Sequence, residues 1–214
     1  MKKYQFEFIE LVIEMGVLRF GNFFLKSGRK SPYFFNSGLF NTGYSLVRLG
    51  RFYADALVHS GIKFDILFGA AYKGIPIVTS TAISLADSYG INTNYCFNRK
   101  EEKTYAEGGN LIGGKIKGRV ILLDDVVTSG SAIRKSMEIV QANNSSTVGI
   151  LIALDRQEKG DNKYSAIDEI QKDFDCPIIS IIKLIDILTY LKDKEIFKVH
   201  FRSLQKYYST HVVE

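Results

Sequence analysis

Asp124 and Asp125 stand side by side at the end of the apolar run Val120-Ile121-Leu122-Leu123, and Val126-Val127-Thr128-Ser129-Gly130-Ser131-Ala132 follows directly. A hydroxyl-rich turn that opens a helix offers free backbone N–H groups, hydroxyl donors and the positive end of the helix dipole. Together these suit a phosphate dianion. Gly130 lets the backbone come close to phosphate oxygens. The carboxylates repel that anion, but they can accept hydrogen bonds from sugar hydroxyls or hold Mg2+ through water. A capped helix beside two solvated acids would use the same residue types, so the full string carries the reading. A second grouping, Tyr72-Lys73-Gly74, follows the apolar run Ile66-Leu67-Phe68 and Gly69, where backbone amides and one ammonium could receive a diphosphate. In a third, Arg99, Lys100 and Lys103 are offset by Glu101, Glu102 and Glu107, which by charge alone describes a solvated loop.

Other chemistries lack their residues. His59, His200 and His211 are scattered, and Cys96 and Cys176 lie far apart with no C-x-x-C. Neither H-E-x-x-H nor G-x-S-x-G occurs, which removes support for zinc hydrolysis and His-dependent triads. Gly109–Lys115 nearly spells the nucleotide-binding G-x-x-x-x-G-K, but Ile116 replaces the required hydroxyl and the flanking elements come in the wrong order. The net charge of +5 suits an anionic ligand and equally an ordinary soluble surface. No apolar run approaches the about 18 residues of a membrane span. Glu7 and Glu10 interrupt any signal-peptide core, so a soluble, cytoplasmic protein with no membrane partner is expected.

The elements that must position these residues follow from periodicity. The chain has 214 residues, 46% hydrophobic and 24% charged, which predicts one well-buried domain. Tyr4, Phe8, Leu11, Val12 and Met15 share a helical face; residues 17–37 read as short strands and turns; and a second helix fits about 44–59. From about residue 62, apolar strands alternate with amphipathic helices: strands at 66–68, 94–98, 120–123, 148–154 and 178–182, helices through about 89 and at 132–140, 166–174, 184–191 and the C-terminus. The helix at 132 is expected to be capped near Thr128 or Ser129. The pattern predicts an α/β fold, a central mostly parallel sheet flanked by helices, over a single domain 1–214. Within it, about 1–60 forms an N-terminal hood, about 62–214 the core, and 99–118 a flexible loop without apolar period, of a length that in a compact domain is usually functional or disordered. Ligands of such sheets gather beyond the carboxyl ends of the strands, and unusual chemistry falls at three such ends: after Phe68, after Leu123 and after Leu154.

The string Val120–Ala132 resembles the ribose-phosphate motif of type I phosphoribosyltransferases. Phe20–Gly43, FGAAYKGIP at 68–76, CFNRKEEK at 96–103 and LDRQEKG at 154–160 are similar to the orotate-specific members of that family in bacteria. The resemblance implies transfer of the 5-phosphoribosyl group from 5-phosphoribosyl-1-diphosphate (PRPP) to orotate, giving orotidine 5′-monophosphate and pyrophosphate in pyrimidine biosynthesis. It implies Mg2+ held mainly by PRPP and water, with no direct protein ligand, and a homodimer with shared active sites and no nucleic acid. Lys103, Asp124 and Asp125 would be catalytic. Lys26, Tyr72, Lys73, Arg99, Lys100, Lys103, Tyr105 and Asp124–Ala132, which includes Val126, Val127, Thr128, Ser129, Gly130 and Ser131, would bind PRPP. Lys26, Phe34, Phe35, Thr128 and Arg156 would bind orotate, since a guanidinium matches a carboxylate with paired hydrogen bonds. In such relatives a cis peptide can precede the position of Tyr72. Histidine-glycine often stands where this chain has Tyr105-Ala106, and proline often stands at Ala70. Two alternatives keep the fold: transfer to another base, and a non-catalytic regulator that senses PRPP. Arg156 and the segment around Phe34 favour orotate, and Arg99, Lys100 and Lys103 favour an enzyme.

Overall fold

A computed structural model of the chain describes all residues except 26–27, 104–108, 129, 160–163 and 213–214, together with all side chains outside these except those of 102, 103 and 109. The first helix, α1 (Lys3–Glu14), buries Phe8, Ile9, Leu11 and Val12, the single apolar face that its spacing dictates. A hairpin follows, β1 (Leu18–Phe24) antiparallel to β2 (Lys30–Phe35), with Leu18 opposite Phe35 and Phe24 opposite Lys30. Strand alternation in β2 buries Ser31, Tyr33 and Phe35 and turns Phe34 outward. Helix α2 (Gly43–Ser60) starts at Thr42, whose hydroxyl accepts from the Ser45 amide at 3.1 Å, and stops at Gly61 in the left-handed conformation.

The central sheet has six strands: β3 (Ile66–Gly69), β4 (Asn94–Lys103), β5 (Gly109–Gly113), β6 (Arg119–Val126), β7 (Ser146–Asp155) and β8 (Ile178–Lys183). They lie in the order β5-β4-β3-β6-β7-β8, and every neighbouring pair is parallel except β4 and β5. The intervening helices are α3 (Gly74–Tyr89), α4 (Ser131–Ala142), α5 (Ala166–Phe174) and α6 (Leu184–Leu191), with α7 (Lys198–His211) closing the chain.

Period two explains why the strands read as uninterrupted apolar runs. Leu67, Ile121, Leu123, Leu151 and Ala153 point to one face, where α1, α2, α6, α7 and Ile77 and Val78 of α3 cover them. Ile66, Phe68, Val120, Leu122, Ile150 and Ile152 point to the other, against Ile133, Met137 and Val140 of α4 and Ile170 of α5. Neither face meets water, so neither position of the alternation is polar.

Two sequence expectations are corrected. The region 99–118 is not all loop: β4 runs on to Lys103 and β5 returns antiparallel, pairing Phe97 with Ile112 and Lys103 with Gly109. The ladder is made by backbone groups at a sheet edge, where one-sided burial imposes no apolar period. The cap of α4 is Gly130, with φ +73° and no side-chain cap, and the helix begins at Ser131. Here a left-handed glycine turns the chain without a capping side chain.

Candidate active site

The order of strands reverses between β3 and β6: from β3 the chain crosses to β4 on one side, and from β6 it proceeds to β7 and β8 on the other. Such a switch point splays the connecting loops apart and leaves a crevice beyond the strand ends. Register fixes what borders it. Gly69 pairs with Leu123, so Ala71 and Asp125, each two residues on, leave neighbouring strands at one level. Val126 pairs with Leu154, which places Thr128 and Arg156 likewise at one level.

The β3–α3 turn is tight because two glycines touch. A Cβ on Gly69 would collide with the backbone of Gly74, and one on Gly74 with that of Gly69. The Ala71–Tyr72 peptide is cis, and the Ala71 amide donates to Asn98 Oδ1 at 2.9 Å. Tyr72 is 65% exposed, with the Lys100 ammonium 4.6 Å from its ring centroid. Lys73 reaches across the crevice, its Nζ donating to Asp125 Oδ2 at 2.7 Å. Arg99 leaves the same edge with its Nε buried and unpaired among the described residues.

At the end of β6, Asp125 is 5% exposed, and its Oδ2 also accepts from the Ser37 hydroxyl at 2.5 Å. Asp124 is held from behind: Tyr53 Oη donates to its carbonyl at 2.8 Å, and its Oδ1 accepts from the Asp125 amide at 2.9 Å. Burial, reinforced by the neighbouring Asp125 charge, pushes the Asp124 carboxyl up to about 7. Val126 and Val127 turn their side chains into opposite faces of the core, so only their backbone groups can meet a phosphate. Thr128, Ser131 and Ala132 are exposed around Gly130.

The end of β7 makes the third wall. Asp155 Oδ1 accepts from the Gln157 amide at 2.7 Å, and Gln157 adopts φ +54°. The turn aims Arg156 at the hairpin, its guanidinium carbon 4.2 Å above the Tyr33 ring centroid and its Nη2 donating to Ser31 Oγ at 3.2 Å. Phe34 is exposed and stacks on Phe23 at 5.5 Å, whereas the Phe35 ring belongs to the buried core.

Among the expected site residues, the structure thus brings together Lys73, Asp124, Asp125, Tyr72, Lys100, Thr128 and Gly130–Ala132, with Arg156 on the adjoining strand end. Lys26, Tyr105 and Ser129, and the side chain of Lys103, lie outside the described residues. Sequence reasoning missed Ser37, Tyr53 and Asn98, which brace the acids and the cis-peptide loop, and Glu158, on which Arg156 rests. Nothing in their local sequence singles them out: Ser37, Tyr53 and Asn98 meet their partners 88, 71 and 27 residues away, and Glu158 is held by Tyr207, Tyr33 and Arg29 from distant segments. Among the described residues no group of three or more His, Cys, Asp or Glu could by itself hold a metal ion. The carboxyl oxygens of Asp124 and Asp125 are hard donors that suit a hydrated Mg2+.

Residues 41–182 match the family described as the phosphoribosyl transferase domain. Orotate phosphoribosyltransferase from Vibrio atlanticus is 60% identical over 207 residues, covering 97% of both chains. The Shewanella oneidensis enzyme of the same name is 57% identical over 214 residues, the full length of each. The crystal structure of orotate phosphoribosyltransferase from Francisella tularensis superposes with a TM-score of 0.88 at 39% identity, covering 97% of this chain and 100% of that one. With a doubly covered parallel sheet, paired acids at its switch point and end-to-end relatives of one name, this chain belongs to the orotate phosphoribosyltransferases of the phosphoribosyl transferase family.

Proposed function

We propose that the crevice beyond β3, β6 and β7 transfers the 5-phosphoribosyl group of PRPP to orotate, giving orotidine 5′-monophosphate and pyrophosphate. The observation that carries the reading is the meeting of Lys73 and Asp125 at 2.7 Å above the switch point, beside the Gly130 turn. It sets one cation, one acid pair and one helix N-terminus around a space of ribose-phosphate chemistry.

In this reading the backbone amides of the turn that opens α4 take the 5′-phosphate, and the dipole of α4 favours its charge. Asp124 and Asp125 accept hydrogen bonds from the ribose 2′ and 3′ hydroxyls. Lys73, released from Asp125 when those hydroxyls arrive, turns its ammonium to the diphosphate, together with the amides of the Tyr72 loop, Arg99 and Lys100. The bond from the anomeric carbon to diphosphate oxygen breaks as the bond to orotate N1 forms, and that nitrogen attacks as the ring anion. Positive charge grows on the ribose during the exchange, so the carboxylates stabilise the transition state more than the ground state. Asp124 and Asp125 are the residues that would hold a hydrated Mg2+ through water, and the ion would supply positive charge to offset that of the leaving diphosphate. Lys103 and Tyr105 are assigned to the loop that closes over the leaving diphosphate. Lys26, Phe34 and Phe35 would line the base side, Phe35 through its backbone, while Thr128 and Arg156 face the orotate carboxylate.

The chain acts as one domain over 1–214, its first 60 residues closing the base side, and as a homodimer whose 99–118 segments reach neighbouring sites. Among the described residues no helix is long and apolar enough to cross a membrane, and the cytoplasm is the proposed location. The test supplies PRPP and Mg2+ with orotate, uracil, adenine or hypoxanthine in parallel and measures pyrophosphate release. Release with orotate alone is expected. Equal release with uracil would show that the base carboxylate is not read, and no release with any base would favour a PRPP sensor.

A further inference from the structure

Arg156 does not stand free at the end of β7. Its Nε and Nη2 donate to Glu158 Oε1 at 3.0 and 2.6 Å, and the two side chains are only 10% and 12% exposed. The same Oε1 accepts from Tyr207 Oη at 2.7 Å and Tyr33 Oη at 3.3 Å, while Oε2 accepts from Arg29 Nη1 at 3.3 Å. One carboxylate therefore gathers donors from the hairpin (Arg29, Tyr33), the β7 end (Arg156) and the last helix (Tyr207). The backbone ties the same pieces: the Lys159 amide donates to the His211 carbonyl at 2.8 Å, and Arg29 Nη2 donates to the Lys159 carbonyl at 3.0 Å. Of the side chains bonded to Glu158, all except Arg156 lie outside residues 41–182, the stretch that matches the phosphoribosyl transferase domain.

Two physical consequences follow. The guanidinium is pinned on one face by the Tyr33 ring and along its Nε–Nη2 edge by Glu158, and among the described residues no acceptor is bonded to Nη1. Its remaining edge is thereby presented in a fixed orientation, and little rotamer entropy is left to lose when a planar carboxylate arrives. The charge count is also uneven: two guanidiniums, Arg29 and Arg156, share one carboxylate, which leaves a single positive charge in a largely buried cluster. A monoanionic ring substituent neutralises it, and a neutral pyrimidine does not.

We infer that Glu158, braced by Tyr207, Tyr33 and Arg29, is a positioning residue that orients Arg156 toward the carboxylate of the base, so that the terminal segments of the chain set base specificity. The inference rests on the orotate reading of Arg156 given above. Glu158→Gln keeps the size and one acceptor oxygen while removing the charge, and Tyr207→Phe keeps the ring while removing one donor. Steady-state kinetics of both variants, of Arg156→Ala and of the Arg156→Ala/Glu158→Gln double variant test it, with thermal unfolding recorded for each. Glu158→Gln is expected to raise the orotate KM about tenfold and Tyr207→Phe about threefold, with the PRPP KM essentially unchanged. In the Arg156→Ala background, Glu158→Gln is expected to add nothing, because its effect passes through that side chain. An unchanged orotate KM in Glu158→Gln, an equal rise in both KM values, or a penalty that multiplies onto that of Arg156→Ala would overturn the positioning role and leave the orotate assignment intact. An unchanged orotate KM in Arg156→Ala would overturn the assignment of Arg156 itself, and the positioning role with it.

Discussion

A carboxyl group pushed up to about 7 beside a second acid gives the site a pH signature of its own. As a ribose acceptor Asp124 must be ionised, so kcat/KM for PRPP is expected to fall about tenfold per pH unit well below 7. Asp124→Asn, already impaired, should lose that acid limb, which a pH–rate profile of both proteins would show. The same shift has a consequence for stability, of fixed sign. An unfolded aspartate titrates near about 4, so between about 4 and 7 the folded chain binds the extra proton. Stability from this group is complete below pH 4 and is lost as pH rises through 7. Relative to Asp124→Asn, the wild type should therefore lose melting temperature across that interval, as thermal unfolding at stepped pH would measure. At this scale much was legible in the sequence: adjacent acids at the end of an apolar strand are a local pattern. Ser37 and Glu158 were not: Ser37 works through a side chain 88 residues away, and Glu158 is braced by side chains 49, 125 and 129 residues away.

Strand-turn-helix units place these residues, and the unit β6–Gly130–α4 depends on one backbone geometry. Gly130 sits at φ +73°, and a Cβ there would come within 2.7 Å of Ile170 Cδ1, a buried side chain. Gly130→Ala is expected to cost about 1–3 kcal/mol in urea unfolding. It should also raise the PRPP KM more than the orotate KM, since the turn faces the phosphate. A stability change with both KM values intact would remove the turn from phosphate binding. The unit itself could be read from an apolar run followed by Thr, Ser and Gly. Its true cap could not, because a glycine whose φ turns the chain and a serine whose hydroxyl caps it are both ordinary in such a string. For β5 and the extension of β4 past Asn98 the obstacle differed. Edge pairing is decided by backbone partners, and charged side chains such as Arg99 and Lys100 are compatible with both a ladder and a loop.

Over the whole molecule, the proposal that sites are shared between two chains makes a complementation prediction. Lys103→Ala mixed with an Asp124→Asn/Asp125→Asn variant should recover part of the wild-type rate, because one hybrid site would combine an intact loop with intact acids. Full inactivity despite hybrid dimers shown by differential tagging would place each loop in its own subunit's site. Apart from β5, the order of strands and helices, the burial of both sheet faces and the acid pair at the end of an apolar strand were determined by the sequence alone, because hydrophobic periodicity is a local property of the chain. Tertiary structure decided the rest. Only the strand order β4-β3-β6-β7 brings Lys73 to Asp125, and only the docking of the hairpin and α7 closes four donors around Glu158. Contacts between segments so far apart depend on which surfaces the packed sheet leaves adjacent, and a one-dimensional pattern does not encode that adjacency.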